Sequence, residues 1–151
     1  MDDLTRLVAI EDIKQLFARY YRALDLKDWD AFESVFAPDA VMDMSQPDRI
    51  LVAEDGLYRG ASAIRAFAER AIGQGPTIDK GVMPIIEFPS DTAATGIWAQ
   101  EDRLVWPQGH PNRRLHGHGY EHHVYEKVDG RWKIKRVRLE RLHVDIVRAQ
   151  D

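Results

Sequence analysis

The chain has 151 residues, of which 44% are apolar and 30% charged, enough apolar material for one buried core and too much for a disordered polymer. A net charge of −4 gives no general affinity for nucleic acid or anionic lipid, and no apolar run approaches the roughly 18 residues that span a bilayer. Cysteine is absent, which excludes disulfides, thiolate nucleophiles and cysteine-held metals. The start, Met1-Asp2-Asp3-Leu4, is acidic where a signal peptide is basic, so a cytoplasmic protein is expected.

Leu4, Leu7, Ile13, Leu16, Phe17, Tyr20 and Leu24 recur at three- and four-residue steps and predict a long amphipathic helix. Asp28 caps a second, short helix that carries Trp29, Phe32, Val35 and Phe36 inward, with Pro38 just beyond it. Short strands are expected at Ala40–Met44 and Leu51–Tyr58. Gly60 precedes a third helix, with Ile64, Phe67, Ala68 and Ala71 on one face, closed by Gly73 and Gly75-Pro76.

The remainder reads as strand: Met83–Phe88, Thr92–Leu104, Leu115–Val128 and Arg131–Val147. Asp129-Gly130 is the dipeptide of a two-residue hairpin turn, and Trp132 and Ile134 alternate with Lys133 and Lys135, one face buried and one wet. The expectation is α+β: a cone-shaped, curved antiparallel sheet closed by three helices, as one domain over residues 1–151. The interleaved charges of Arg136 to Arg141 fit a solvated strand edge.

Tyr20-Tyr21-Arg22-Ala23-Leu24-Asp25-Leu26-Lys27-Asp28-Trp29-Asp30, followed by Phe36-Ala37-Pro38-Asp39-Ala40, resembles the opening of SnoaL-like proteins. Tyr58-Arg59-Gly60 through Phe67 resembles that family's link into its third helix, and Tyr125 through Ile134 its final hairpin. The resemblance covers nearly the whole chain and implies the nuclear-transport-factor-2-like superfamily. That superfamily holds scytalone dehydratase, bile-acid 7α-dehydratase, hexachlorocyclohexane dehydrochlorinase, steroid isomerase and polyketide cyclases. It also holds binding modules without catalysis, such as small subunits of ring-hydroxylating dioxygenases, so fold alone fixes no reaction.

Asp25 lies at the end of an apolar helix face, where a carboxylate is costly unless paired. The resemblance gives it the place of the aspartate that orients a catalytic histidine. Tyr20, five residues earlier, has the place of a catalytic tyrosine, but the two stand roughly 140° apart on a regular helix and meet only if the helix ends near Asp25. At Asp79 the chain departs from the family, whose catalytic members have histidine there. Two nearby carboxyls would share a proton, with one pKa raised; alternatively Asp79 is a loop residue beside Lys80.

His116, His118 and His122 share a strand face with Tyr120 and Val124, while His123 and Tyr125 face oppositely. An inward His118 or His122 could supply the missing base. The spacing of these histidines from Glu121 and Glu126 does not match a cupin metal set, and no metal is expected. Tyr21, Trp29, Met44, Trp98, Tyr120 and His122 are the expected pocket walls. No phosphate-loop or dinucleotide signature is present, so no cofactor is expected.

These features predict a cofactor-free lyase or isomerase acting on a hydrophobic cyclic or aromatic small molecule. Its catalytic residues would come from Asp25, Tyr20, Asp79 and His118. The alternative is a non-catalytic binding or assembly module. A homodimer or higher homo-oligomer through the outer sheet face, with Ile97 pointing outward, is expected, without nucleic-acid or membrane partners.

Overall fold

In the computed structural model, which describes residues 1–46 and 55–150, the described residues form nine elements. In order they are α1 (Asp3–Leu26), α2 (Trp29–Ser34), β1 (Phe36–Asp43), β2 (Leu57–Arg59), α3 (Ala61–Ile72), β3 (Thr77–Ser90), β4 (Ala93–Val105), β5 (Asn112–Val128) and β6 (Arg131–Arg148). The expected strand from Leu51 lies partly outside the described residues. No described helix is long and apolar enough to cross a membrane.

α1 begins where the Asp2 carboxylate accepts the Thr5 N–H at 2.7 Å, and it stops at Lys27, whose backbone is left-handed (φ 59°) and whose N–H turns back to Ala23 and Leu24. Ile13, Leu16, Phe17, Tyr20, Tyr21 and Leu24 are buried. Leu4 and Leu7, read as part of the same stripe, are exposed. The first turns run out to the β3–β4 turn, where the amino terminus meets Asp91 at 3.3 Å, rather than over the core.

The sheet is open, in the order β2-β1-β6-β5-β4-β3, and curves around the helices. The expectation of a wholly antiparallel sheet is corrected at one seam: β1 runs parallel to β6. Antiparallel pairing is imposed by short hairpins, and none joins these two strands; a parallel neighbour needs a long connection, here most of the chain. From β3 to β6 the meander is antiparallel as expected.

Several boundaries differ from the sequence reading, two of them near the site. Phe36 opens β1 rather than closing α2, and β3 starts at Thr77, six residues before the expected Met83. Asp79 is therefore a strand residue, opposite Asp102 of β4. The β5–β6 turn is as read: Asp129 and Gly130 both have positive φ (50° and 76°), and Tyr125 pairs with Ile134.

The core lies between the inner sheet face and the helices. Ile13, Phe32, Ile64, Tyr125, Ile134 and Val137 are fully buried, and Trp132 points inward with them. Phe17 stacks on Trp98 of β4, with ring centres 3.8 Å apart, and this contact brings α1 against the sheet.

Candidate active site

The end of α1 is tied to the start of β3 through polar side chains. Lys27 Nζ donates to Thr77 Oγ1 at 2.8 Å and to the carbonyls of Leu24 and Asp25, while Thr77 Oγ1 donates to Asp25 Oδ1 at 3.0 Å. The Asp79 backbone N–H reaches both Asp25 oxygens, at 3.2 and 3.3 Å. The helix stop at Lys27 thus turns the Asp25 carboxylate onto the β3 backbone. It also places two carboxyls side by side.

Asp79 carries the consequence. Burial, together with the hydrogen bond and charge of Asp25 and the charges of Asp102 and Glu121, pushes its carboxyl from an ordinary 3.8 up to about 9. Asp79 Oδ2 is buried without a hydrogen-bond partner of either kind among the described residues, so it is left free toward the cavity wall. At neutral pH Asp79 is a carboxylic acid.

A small, partly open cavity of about 90 Å³ lies on one side of this pair and a wider groove of about 800 Å³ on the other. Asp79 touches both; Asp25 borders only the groove, with Lys14, Arg22 and Lys80 around it. The cavity has an apolar wall from Leu24, Met42, Phe67, Ile72, Val137 and Leu139, and a polar one from Asp79, Gln100, Asp102, Glu121 and Arg141. Arg141 is hydrogen-bonded to Asp102, and Gln100 Nε2 donates to Asp102 at 3.4 Å. Gln100 Oε1 is buried without a partner among the described residues.

Tyr20 and Tyr21 line the cavity, and Tyr20 O–H points to Glu121 Oε1 at 3.4 Å. Burial and then the Glu121 charge push both phenols well above their ordinary 10.0, so they stay protonated donors. Tyr20 and Asp25 do not share one space; Asp79 stands between the cavity of the first and the groove of the second. Met44 lines the cavity. Trp98 donates its indole N–H to Tyr125 Oη at 2.9 Å and shows an edge to the groove, while Trp29 packs edge-on against Phe32 outside both.

His118, Tyr120 and His122 are on the outer sheet face, away from the cavity. The β5–β6 register decides it: Tyr125 pairs with inward Ile134, so alternation sends Glu121 and His123 in and His118, Tyr120 and His122 out. Outside, His122 pairs with Glu140 at 2.6 Å and His116 with Glu101 at 2.8 Å. Inside, His123 Nε2 meets Glu121 Oε2 at 2.7 Å. Glu121, His123, Gln100, Asp102 and Arg141 were missed by the sequence reading, although the Asp129-Gly130 turn fixes the phase that reveals the first two.

An open curved sheet filled by three helices, with an acid-lined cavity at its centre, defines the class of protein. A family model described as "SnoaL-like domain" matches residues 5–138, and the chain belongs to that family. A probable cyclase of Gibberella zeae is 25% identical over 142 residues, covering 87% of this chain and 89% of that one. Among solved structures, a type 2 hexachlorocyclohexane dehydrochlorinase superposes with a TM-score of 0.80 at 19% identity, over 98% of this chain and 95% of that one. A putative scytalone dehydratase of Novosphingobium aromaticivorans gives 0.79 at 22% identity, over 93% and 89%. At such identities the solved structures establish the fold alone.

Proposed function

We propose that this chain is a cofactor-free enzyme of the lyase or isomerase type, moving a proton on a hydrophobic, cyclic or aromatic, oxygenated small molecule. The observation that carries the reading is Asp79: a carboxyl held protonated to about 9, on the wall of a small cavity, beside a second carboxyl that opens to the groove. Such a group is a general acid at neutral pH. Once it has given its proton to a leaving or enolic oxygen, Asp25 on the groove side is placed to return one from solvent. The relatives named as a cyclase, a dehydrochlorinase and a dehydratase support the same broad chemistry.

A non-catalytic binding module has no use for a buried carboxyl with an oxygen left unpartnered, since that arrangement costs stability. The two readings separate in one experiment. A panel of hydroxylated cyclic ketones, scytalone among them, is incubated with the protein and followed by mass spectrometry for loss of water or ring closure. An enzyme turns over at least one member, and Asp79→Asn slows it by about 10² or more. Recovery of every bound compound unchanged would favour the binding module.

A further inference from the structure

Asp79 accounts for a proton donor; the opposite cavity wall holds a second unit that this reading leaves unused. We propose that Glu121 is the general base of the cavity and that His123 is the residue that positions it. The proposal rests on the reading of Asp79 as the acid and narrows the substrate to a carbon acid with a leaving oxygen, such as a β-hydroxy carbonyl compound.

The geometry is specific. Glu121 is only 6% exposed, yet it lines the cavity, from the β5 position between Trp98 of β4 and Leu139 of β6. A carboxylate only accepts, so His123 Nε2 carries the hydrogen of the 2.7 Å bond to Oε2, and Tyr20 O–H approaches Oε1. Each oxygen keeps a second lone pair for the cavity. His123 does not reach the cavity: it is enclosed by the rings of Phe17, Tyr20 and Tyr125, so it acts through Glu121 alone. The other charged or titratable groups around this unit are Asp79 from β3, Asp102 and Arg103 from β4, Tyr125 from β5, Arg141 from β6, and Tyr21 from α1.

A pair kept only for packing is often matched or bettered by apolar residues of the same volume, and it needs no opening to a cavity. Glu121 has that opening. In the step proposed, Glu121 takes the hydrogen beside the carbonyl as a proton, and the C–H electron pair becomes the C=C bond. The C–O bond of the β-hydroxyl breaks, and its oxygen leaves as water with the proton of Asp79. Glu121 ends protonated and Asp79 ionised; release of one proton and uptake of another restores both without an oxidant or reductant.

The test uses nitrobenzisoxazole, a small bicyclic carbon acid: a base removes its ring C–H, the electrons form a nitrile, and the N–O bond opens to a coloured phenolate. The wild-type protein should open it faster than free carboxylate buffer at the same pH. Glu121→Gln should lower kcat/KM by about 10² or more on both this compound and unsubstituted benzisoxazole. His123→Gln should cost about tenfold and shift the acid limb of the pH profile, which a merely structural histidine would leave in place. Asp79→Asn should slow the unsubstituted compound, with its poorer leaving group, more than the nitro compound. That ratio keeps failure of the acid reading apart from failure of the base.

If Glu121→Gln does not fold, Glu121→Asp, which draws the base back by one methylene, should still fold and react more slowly. A wild-type rate no better than buffer, or either Glu121 variant at the wild-type rate, would overturn the proposal.

Discussion

Asp25 Oδ1 accepts two hydrogen bonds from β3, from the Thr77 hydroxyl at 3.0 Å and from the Asp79 backbone N–H at 3.2 Å, so the pairing of Asp25 with Asp79 is built into the joint between helix and strand. The side chain of Asp79 is then left beside a carboxylate that its own backbone holds in place. This makes the acidity of one residue depend on the charge of the other.

Asp25→Asn removes that charge and keeps the volume. The Asp79 carboxyl should titrate below its present value of about 9, as followed by the infrared carbonyl band of a protonated carboxyl. Turnover should fall by about 10² or more, and the melting temperature should hold or rise, because catalytic groups are often kept at a cost to stability. An unfolded variant would make Asp25 structural. An unchanged titration would show that the two carboxyls are uncoupled.

Asp79 also sets a pH dependence of stability. Its folded pKa, about 9, lies above the 3.8 of the open chain, so between those values the folded state binds the proton more tightly. The stability it contributes is fully present below about 4 and is lost as pH rises toward about 9. Thermal melts should show that slope, and Asp79→Asn, which cannot ionise, should flatten it. A wild-type slope of the opposite sign through pH 5 to 8, removed by the same variant, would contradict the assignment.

The three helices and the β5–β6 hairpin were legible because each rests on local chemistry: the Asp28 cap, the Gly60 and Gly73 boundaries, the Asp129-Gly130 turn. The parallel seam of β1 and β6 was not, since it joins segments almost a hundred residues apart with no turn to announce it. Within the site, the carboxyl pair could be foreseen, because Asp25 ends an apolar face and the resemblance drew attention to Asp79. The choice among the β5 histidines went astray over phase. His118 and His122 differ from His123 by an odd number of residues, and an odd step on a strand changes the face. Carrying the Tyr125–Ile134 pairing outward from the turn gives the right face from sequence alone.

The outer face of β3, β4 and β5 carries Val82, Ile85, Ile97 and Tyr120 exposed, with Ile85 directly across from Ile97. Exposed apolar side chains set side by side on a sheet face are better covered than wet, and we expect a second copy of the chain to cover them. Light scattering should then give a mass of at least twice 17.4 kDa, and Ile97→Glu should lower it without changing the far-ultraviolet circular dichroism. A wild-type monomer at micromolar concentration would contradict this.

Gly81 offers a test of whether the site depends on the fit of α1 against β3. A Cβ at this position would lie 2.2 Å from Phe17 Cε1 and 2.4 Å from Cζ, well inside contact distance. Phe17 cannot turn aside freely, because its other face is stacked on Trp98 at 3.8 Å. In Gly81→Ala either that stack breaks or α1 lifts from β3, and lifting draws Asp25 away from Thr77 and Asp79. A cost of about 1–3 kcal/mol is expected, the usual scale for overpacking, together with a fall in the Asp79 pKa. Phe17→Leu removes the ring edge that the new methyl would strike. On its own it should destabilise by loss of packing, but combined with Gly81→Ala it should recover part of the loss, so that the two changes are less than additive by about 0.5 kcal/mol or more. Denaturant melts of the four proteins measure that coupling, and infrared titration of the same four shows whether Asp79 follows it. Strict additivity would mean that Phe17 and Gly81 do not hold the helix and strand together, and that the carboxyl pair draws its geometry from Lys27 and Thr77 alone.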